Sequence, residues 1–301
     1  MLRTLAAFLL CMTLGALPVH AADAPDSAAA TLLASFKPQA GKITLPGGIG
    51  TLDLPPTFRY LSPEDAGRLL SEGWGNPPSP PTLGMILPAG VNPLSPEGWG
   101  VVVTYDKDGH VKDDDASSIK YDELLKQMQE GIASRNDERK KGGYPAMNLV
   151  GWAEAPSYDQ ASHKLYWAQQ LHTEGAGEDG LNYNIRVLGR EGVLVLNAVA
   201  GMSQIATIKN EMKQVTAFTE FSQGNRYADF NGSTDKVAEY GLAALVAGGA
   251  AAKLGLFGKL FALLLAFKKL LILGGAAVVS AVYKFLGREK KAPMVDLSKP
   301  E

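Results

Sequence analysis

The chain has one cysteine, Cys11, and it lies inside a short apolar N-terminal run. Loss of that run leaves none, which excludes disulfides, thiol catalysis and cysteine-ligated zinc or iron–sulfur sites within one chain. A domain of this length can bury an adequate core without such staples. Histidine is almost as scarce: beyond His20 there are only His110, His163 and His172. Metal or triad chemistry built on histidine is therefore poorly supplied, although one imidazole suffices for a general base. There is no Gly-x-Ser-x-Gly elbow, no His-Glu-x-x-His helix and no internal repeat. Also missing is an uninterrupted apolar run of the roughly twenty residues that a simple membrane helix takes.

What the chain does have is an apolar segment at each end. Arg3 precedes a run from Leu5 to Leu17 broken only by Thr13 and Gly15, and Val19-His20-Ala21 puts small residues at the −3 and −1 positions of a cleavage site. The run is too short to span a bilayer comfortably, so residues 1–21 read as a secretory signal peptide. A lipoprotein is disfavoured because Cys11 sits within the apolar run. At the other end, residues 240–287 are apolar but punctuated by Lys253, Lys259, Lys268 and Lys269. A lysine at mid-span costs about 2.5–3.5 kcal/mol on insertion scales, whereas one near an end snorkels to the headgroups. The cleanest span is thus Leu270–Leu286, and 240–287 reads as a membrane anchor of one or two helices followed by a basic polar tail, 288–301.

Charge follows the same division. Residues 22–235 hold 18 Lys and Arg against 27 Asp and Glu, while 236–301 hold 10 against 4. An acidic exported body is a poor match for nucleic acid, and a basic apolar tail suits membrane lipid. The basic cluster after Leu286 favours a cytoplasmic C-terminus.

Between the ends, 22–39 reads as a leader of the mature chain and 40–235 as one domain with a loop at 74–96 that carries seven prolines. Strand patterns fall at Lys42–Leu45, Gly50–Leu54, Gly84–Leu87, Trp99–Tyr105, Met147–Ala153, Leu165–Leu171, Asn182–Leu188 and Val193–Ala200. Helical patterns fall at Ser62–Ser71, where Ser62 is an N-cap with Pro63 next, at Ile119–Glu138 and at Ser203–Phe218. Consecutive strands followed by a helix predict an α+β fold, a largely antiparallel sheet packed with a few helices, ahead of the hydrophobic helical tail.

Candidate sites must be weighed against plainer roles. Gly175-Ala176-Gly177-Glu178-Asp179-Gly180 matches a dinucleotide fingerprint literally, but it carries two acids and leads into a strand, so it reads as a hairpin connection. Asp106-Lys107-Asp108-Gly109 with Asp113-Asp114-Asp115 lacks EF-hand spacing and reads as a solvated hairpin turn rather than a calcium site. Ser117-Ser118-Ile119-Lys120 fits Ser-x-x-Lys without the partner motifs, and a serine cap on the following helix explains it. Trp152 and Trp167 read as core. No catalytic set, metal site or cofactor is assigned. As ligand-binding candidates there remain Trp74 and Trp99, in and beside the proline-rich loop, with Tyr166 and His172, which alternation places on one strand face near Glu174.

Pro46–Leu54, Gly73-Trp74-Gly75-Asn76-Pro77, Met147–Trp152, His163–Ala168, Leu181-Asn182-Tyr183 and Tyr240–Gly249 stand in a characteristic order. Together they resemble a bacterial family of membrane-anchored proteins of unknown function, domain of unknown function 2167. The resemblance implies an inner-membrane protein with a periplasmic domain and a C-terminal anchor, and it implies no activity. The expected function is a non-catalytic binding module whose partners are membrane lipid and an envelope protein. One alternative is an envelope hydrolase or transferase drawing on carboxylates such as Asp106, Asp108, Glu154 and Asp159. Another is a membrane-remodelling or membrane-sensing protein whose tail is the working part.

Overall fold

Period-two alternation dominates the middle of the chain, and in the computed structural model, which describes residues 24–77 and 80–247, it becomes sheet. The strands in chain order are β1 (Gly41–Thr44), β2 (Gly50–Leu54), β3 (Phe58–Leu61), β4 (Gly84–Pro88), β5 (Gly100–Asp106), β6 (Met147–Asp159), β7 (Lys164–Thr173), β8 (Gly180–Leu188), β9 (Val193–Gly201) and β10 (Thr219–Phe221). Seven of them form one antiparallel sheet in the order β3-β4-β5-β9-β8-β7-β6, and β1, β2 and β10 form a second sheet of three. The helices are α1 (Ala24–Ser35), α2 (Pro63–Arg68), α3 (Tyr121–Ala133), α4 (Asn136–Lys141), α5 (Ile205–Ala217) and α6 (Leu242–Val246). The expected α+β class, with antiparallel sheets and few helices, is what forms.

Both faces of the large sheet are covered. On one, Val101, Val103, Ile185, Leu194 and Leu196 pack beneath Ile208, Met212 and Val215 of α5 and beneath the small sheet. On the other, α1 and α2 cover Leu61, Met85 and Leu87, while α3 and α6 cover Leu165, Trp167, Leu188 and Val193. The edge strand β6 is blunted by side chains: Gln129 Nε2 donates to the carbonyls of Leu149 and Val150 at 3.2 and 3.1 Å.

Local expectations meet mixed outcomes. Ser62 caps α2 as expected, accepting from the Asp65 amide at 3.2 Å. The Gly175–Gly180 segment does connect two hairpin strands, β7 and β8. Neither Ser117 nor Ser118 caps α3, however: Ala116–Ser118 is a separate 3-10 turn, and Ile119 returns to extended backbone before the helix starts. Asp108-Gly109 makes no hairpin, because β5 pairs with β4 and β9 rather than with a following strand. The helix expected over Ile119–Glu138 breaks after Ala133, where the Asn136 side chain turns away to accept from the Met147 amide at 2.9 Å. β3 and β10, short and without clear alternation, carried no sequence signal.

The expected signal peptide at 1–21, the part of the expected anchor beyond Ala247 and the expected tail 288–301 lie outside the described residues. Among the described residues no helix is long and apolar enough to cross a membrane. The first residues of the 240–287 stretch are instead part of the body: Leu242, Leu245 and Val246 are buried against Val111, Leu124 and Trp167. Truncating Leu242 to alanine is therefore expected to cost about 2–5 kcal/mol of body stability. Urea unfolding of the full chain checks this, since a side chain that faced lipid would leave the body's midpoint unmoved.

Candidate functional site

From Ser222 to Val246 the chain has little regular structure, yet it is strapped across the body by a series of polar contacts. Arg190 grips Asp235 in bidentate fashion, Nε to Oδ2 at 2.7 Å and Nη2 to Oδ1 at 2.9 Å, which holds the Asp235 carboxyl well below the usual carboxylate range. Next, His110 accepts from the Ala238 amide and donates its own amide to Lys236, both at 2.8 Å, a one-residue parallel bridge. Gly109 permits that approach: its φ is 111°, and a Cβ there would strike the Lys236 carbonyl. Tyr240 then donates its hydroxyl to Asp108 at 2.8 Å, and the Leu242 amide donates to Asp115 at 3.1 Å. The Asp115 carboxylate lies where any side chain at Gly241 would be.

Beneath the strap lies a stack of four rings. Phe230 and His110 are 3.9 Å apart, His110 and Tyr227 4.3 Å, and Tyr227 and His163 3.9 Å, centroid to centroid. Asp113 anchors the stack, accepting from Tyr158 at 2.6 Å and from Tyr227 at 3.2 Å, with His163 Nδ1 at 3.3 Å. Burial pushes the Asp113 pKa up, but the hydrogen bonds from Tyr158, Tyr227 and His163 outweigh it and leave the carboxyl below its ordinary value. Burial, reinforced by that carboxylate, drives both tyrosine hydroxyls well above theirs. His110 is 6% exposed with its Nδ1 lacking a hydrogen-bond partner, and burial lowers its pKa despite the neighbouring backbone carbonyls of Gly189 and Arg190. His163 closes the β6–β7 turn at φ 51°, a left-handed conformation that costs a side-chain-bearing residue about 1–2 kcal/mol.

An imidazole oriented by a carboxylate is the outline of an acid–base pair. Here, though, the carboxylate also serves two tyrosines and one imidazole face is covered by Tyr227, so the assembly joins segments. Neither of two surface hollows is lined by the stacked rings. One of about 440 Å³ is walled by Pro63, Arg68, Leu70, Pro77 and Pro81, and one of about 300 Å³ by Asp115, Lys120, Glu123 and Ala243.

The four ligand-binding candidates are not brought together. Trp99 is 3% exposed in the core, edge-on to Phe58 at 6.3 Å. Trp74 packs with the α1–α2 cluster and donates its indole N–H to the Pro93 carbonyl at 2.9 Å. Tyr166 is half-buried on the α5 side, and His172 is exposed at the far end of the same strand, roughly 20 Å along it. His172 meets Asp179 at 2.8 Å rather than Glu174, which pairs with Lys140. The four acids of the enzyme alternative also diverge. Asp108 holds Tyr240, Glu154 pairs with Lys209 at 3.0 Å, and Asp159 closes its own turn onto Ala161 and Ser162. Asp106 is half-buried, and that desolvation raises its pKa, an effect the charge of Arg186 partly offsets.

A family model described as protein of unknown function (DUF2167) matches residues 37–279. The chain belongs to the DUF2167 family. No curated protein matches it. Among solved structures, the DUF2167 chain is similar to cyanobacterial PsbP (CyanoP) from Synechocystis sp. PCC 6803, with 8% identity and a TM-score of 0.36 over 63% of this chain and 94% of that one. It is also similar to the Saccharomyces cerevisiae Ran-binding protein Mog1p, with 10% identity and a TM-score of 0.33 over 65% of this chain and all of that one.

His110 has a lowered folded-state pKa, so the folded state favours neutral imidazole, and its contribution is fully present above the ordinary 6.5. It is lost as pH falls below that value, and a second loss follows below the ordinary 3.8 of Asp113 and Asp235, whose folded values are also lowered. Thermal unfolding from pH 8 to 5 is expected to show the first loss in the natural chain and to lack it in His110→Phe, which keeps the ring stack.

Proposed function

We propose that this DUF2167 chain is an envelope domain, exported and tethered to the inner membrane by its apolar tail, that binds a partner without catalysing a reaction. The observation that carries the reading is the strap. Asp108, Asp113, Asp115 and Asp235 are committed to contacts that fix residues 222–246 on the body. Carboxylates so engaged do not meet as an acid–base pair in a cleft. They also hand the chain over at Ala247, immediately before its apolar, lysine-punctuated stretch, so that the body stands close to the tether. The acidic surface of residues 22–235 suits a protein or small-molecule partner in the envelope better than nucleic acid.

The test uses the tagged full chain and a version ending at Ala247. The full chain is expected to remain in the membrane pellet through alkaline carbonate, and the shortened one to leave with the soluble envelope fraction. In-cell crosslinking of the full chain is expected to capture a recurrent envelope protein, lost when an unrelated domain replaces the body. Retention of the shortened chain in the pellet would overturn the tether, and capture no higher than background would overturn the protein partner.

A further inference from the structure

On the second face of the large sheet the α1–α2 cluster and the α3–α6 cluster cover different strand residues. Strand alternation and register put Thr104 of β5, Asn197 of β9, Asn182 and Arg186 of β8 and Gln169 of β7 on the face that also carries Trp167. All five are half-buried, and Asn184, on the same face of β8, is 5% exposed. A polar strip thus runs between the α1–α2 layer and the α3–α6 layer.

Arg186 is oriented within this strip. Its guanidinium lies 4.8 Å from the centroid of the Trp167 ring, and Nη1 donates to Asn184 Oδ1 at 3.3 Å and to the Ile185 carbonyl at 3.5 Å. Among the described residues no carboxylate forms an ion pair with it. Asp106 faces Val193, one row beyond the Val195 that Arg186 faces, and acts on the guanidinium only through space. Nε and Nη2 therefore keep donors for an acceptor from outside. Diagonally across the ladder, Asn197 keeps a buried side-chain oxygen with no hydrogen-bond partner.

We infer that this strip binds a ligand bearing one carboxylate and an adjacent N–H, the chemistry of a peptide C-terminus. Arg186 takes the carboxylate and Asn197 Oδ1 accepts the N–H. A guanidinium presents parallel donors that match a carboxylate, and pre-alignment on an indole face lowers the ordering cost of using them. Diagonal neighbours on a sheet stand roughly 7–8 Å apart, a gap that the long arginine side chain narrows to the span of one terminal residue. A doubly charged phosphate would fit less well, because the carboxylate of Asp106 on the same face acts on the Arg186 guanidinium and would repel the added charge. The inference deepens the binding reading above, but its fate is separate: tethering and protein capture are read in cells, and this site is read by titration.

The test is calorimetric titration of the detergent-purified full chain with N-acetyl-alanyl-alanine, with its C-terminal amide and with inorganic phosphate. The free acid is expected to bind at least about tenfold more tightly than the amide, reflecting one charge-assisted contact. Arg186→Met is expected to abolish binding, Arg186→Lys to weaken it, and Asn197→Asp to abolish it by placing an internal carboxylate beside the guanidinium. Thermal melts check that each variant is folded, and Asn197→Asp keeps the test decisive if loss of the arginine prevents folding. Equal binding of acid and amide, tighter binding of phosphate, no binding of any probe, or free-acid binding that survives Asn197→Asp would each overturn the inference.

Discussion

Carboxylate contacts from the loop after β5 to the strap hold the second layer of this protein in place. The large sheet must cover two faces, and one end of its second face is closed by α6, a helix of five residues. So short a helix has no independent stability, because nucleation costs more than a turn or two returns. It is there because Asp108, Asp113 and Asp115 take hold of Tyr240, Tyr227 and the Leu242 amide from a segment more than 100 residues earlier in sequence. The apolar contacts of Leu242, Leu245 and Val246 supply the larger energy, about 1.5–3 kcal/mol for each fully buried side chain. The carboxylates supply direction, determining where that apolar surface lands.

This division of labour explains the unusual company around His110. A buried imidazole without a partner for Nδ1 is a liability on its own, but stacked between Phe230 and Tyr227 it serves as a flat aromatic spacer that can still change charge. The same holds for His163, whose left-handed backbone would be cheaper as glycine. Glycine would close the turn but would neither reach Asp113 nor cover Tyr227.

Much of the architecture was legible in the sequence because it rests on local pattern. Alternation in β5, β7, β8 and β9 marked strands correctly, and on β7 it separated Leu165 and Trp167 from Tyr166 and Ala168, which pack on opposite faces. Ser62 and Pro63 marked their helix start for the same local reason. The strap was not legible, since Asp113-Asp114-Asp115 has the composition of a solvated turn. What makes Asp113 different is Tyr158 and Tyr227, 45 and 114 residues away, and no periodicity encodes a contact of that separation. Arg186 was missed in the same way. Within β8 it reads as the outward charge of an alternating strand, and the Trp167 ring that covers it becomes a neighbour only through cross-strand register.

The apolar tail shows the limit of reading hydrophobicity as destination. Tyr240–Ala247 carries no charge and runs without a break into a long apolar stretch, so composition alone assigns the whole of it to lipid. The described part goes to protein instead, because Tyr240 has a hydroxyl and the Leu242 amide a proton that Asp108 and Asp115 receive. Polar groups at the helix start, not the apolar residues within it, distinguish a core helix from the opening turns of an anchor. The boundary between body and tail is therefore drawn by hydrogen-bond partners supplied from the acidic loop. That gives Asp108 and Asp115 a structural role, whereas Arg186, half-buried on the sheet, forms no ion pair among the described residues.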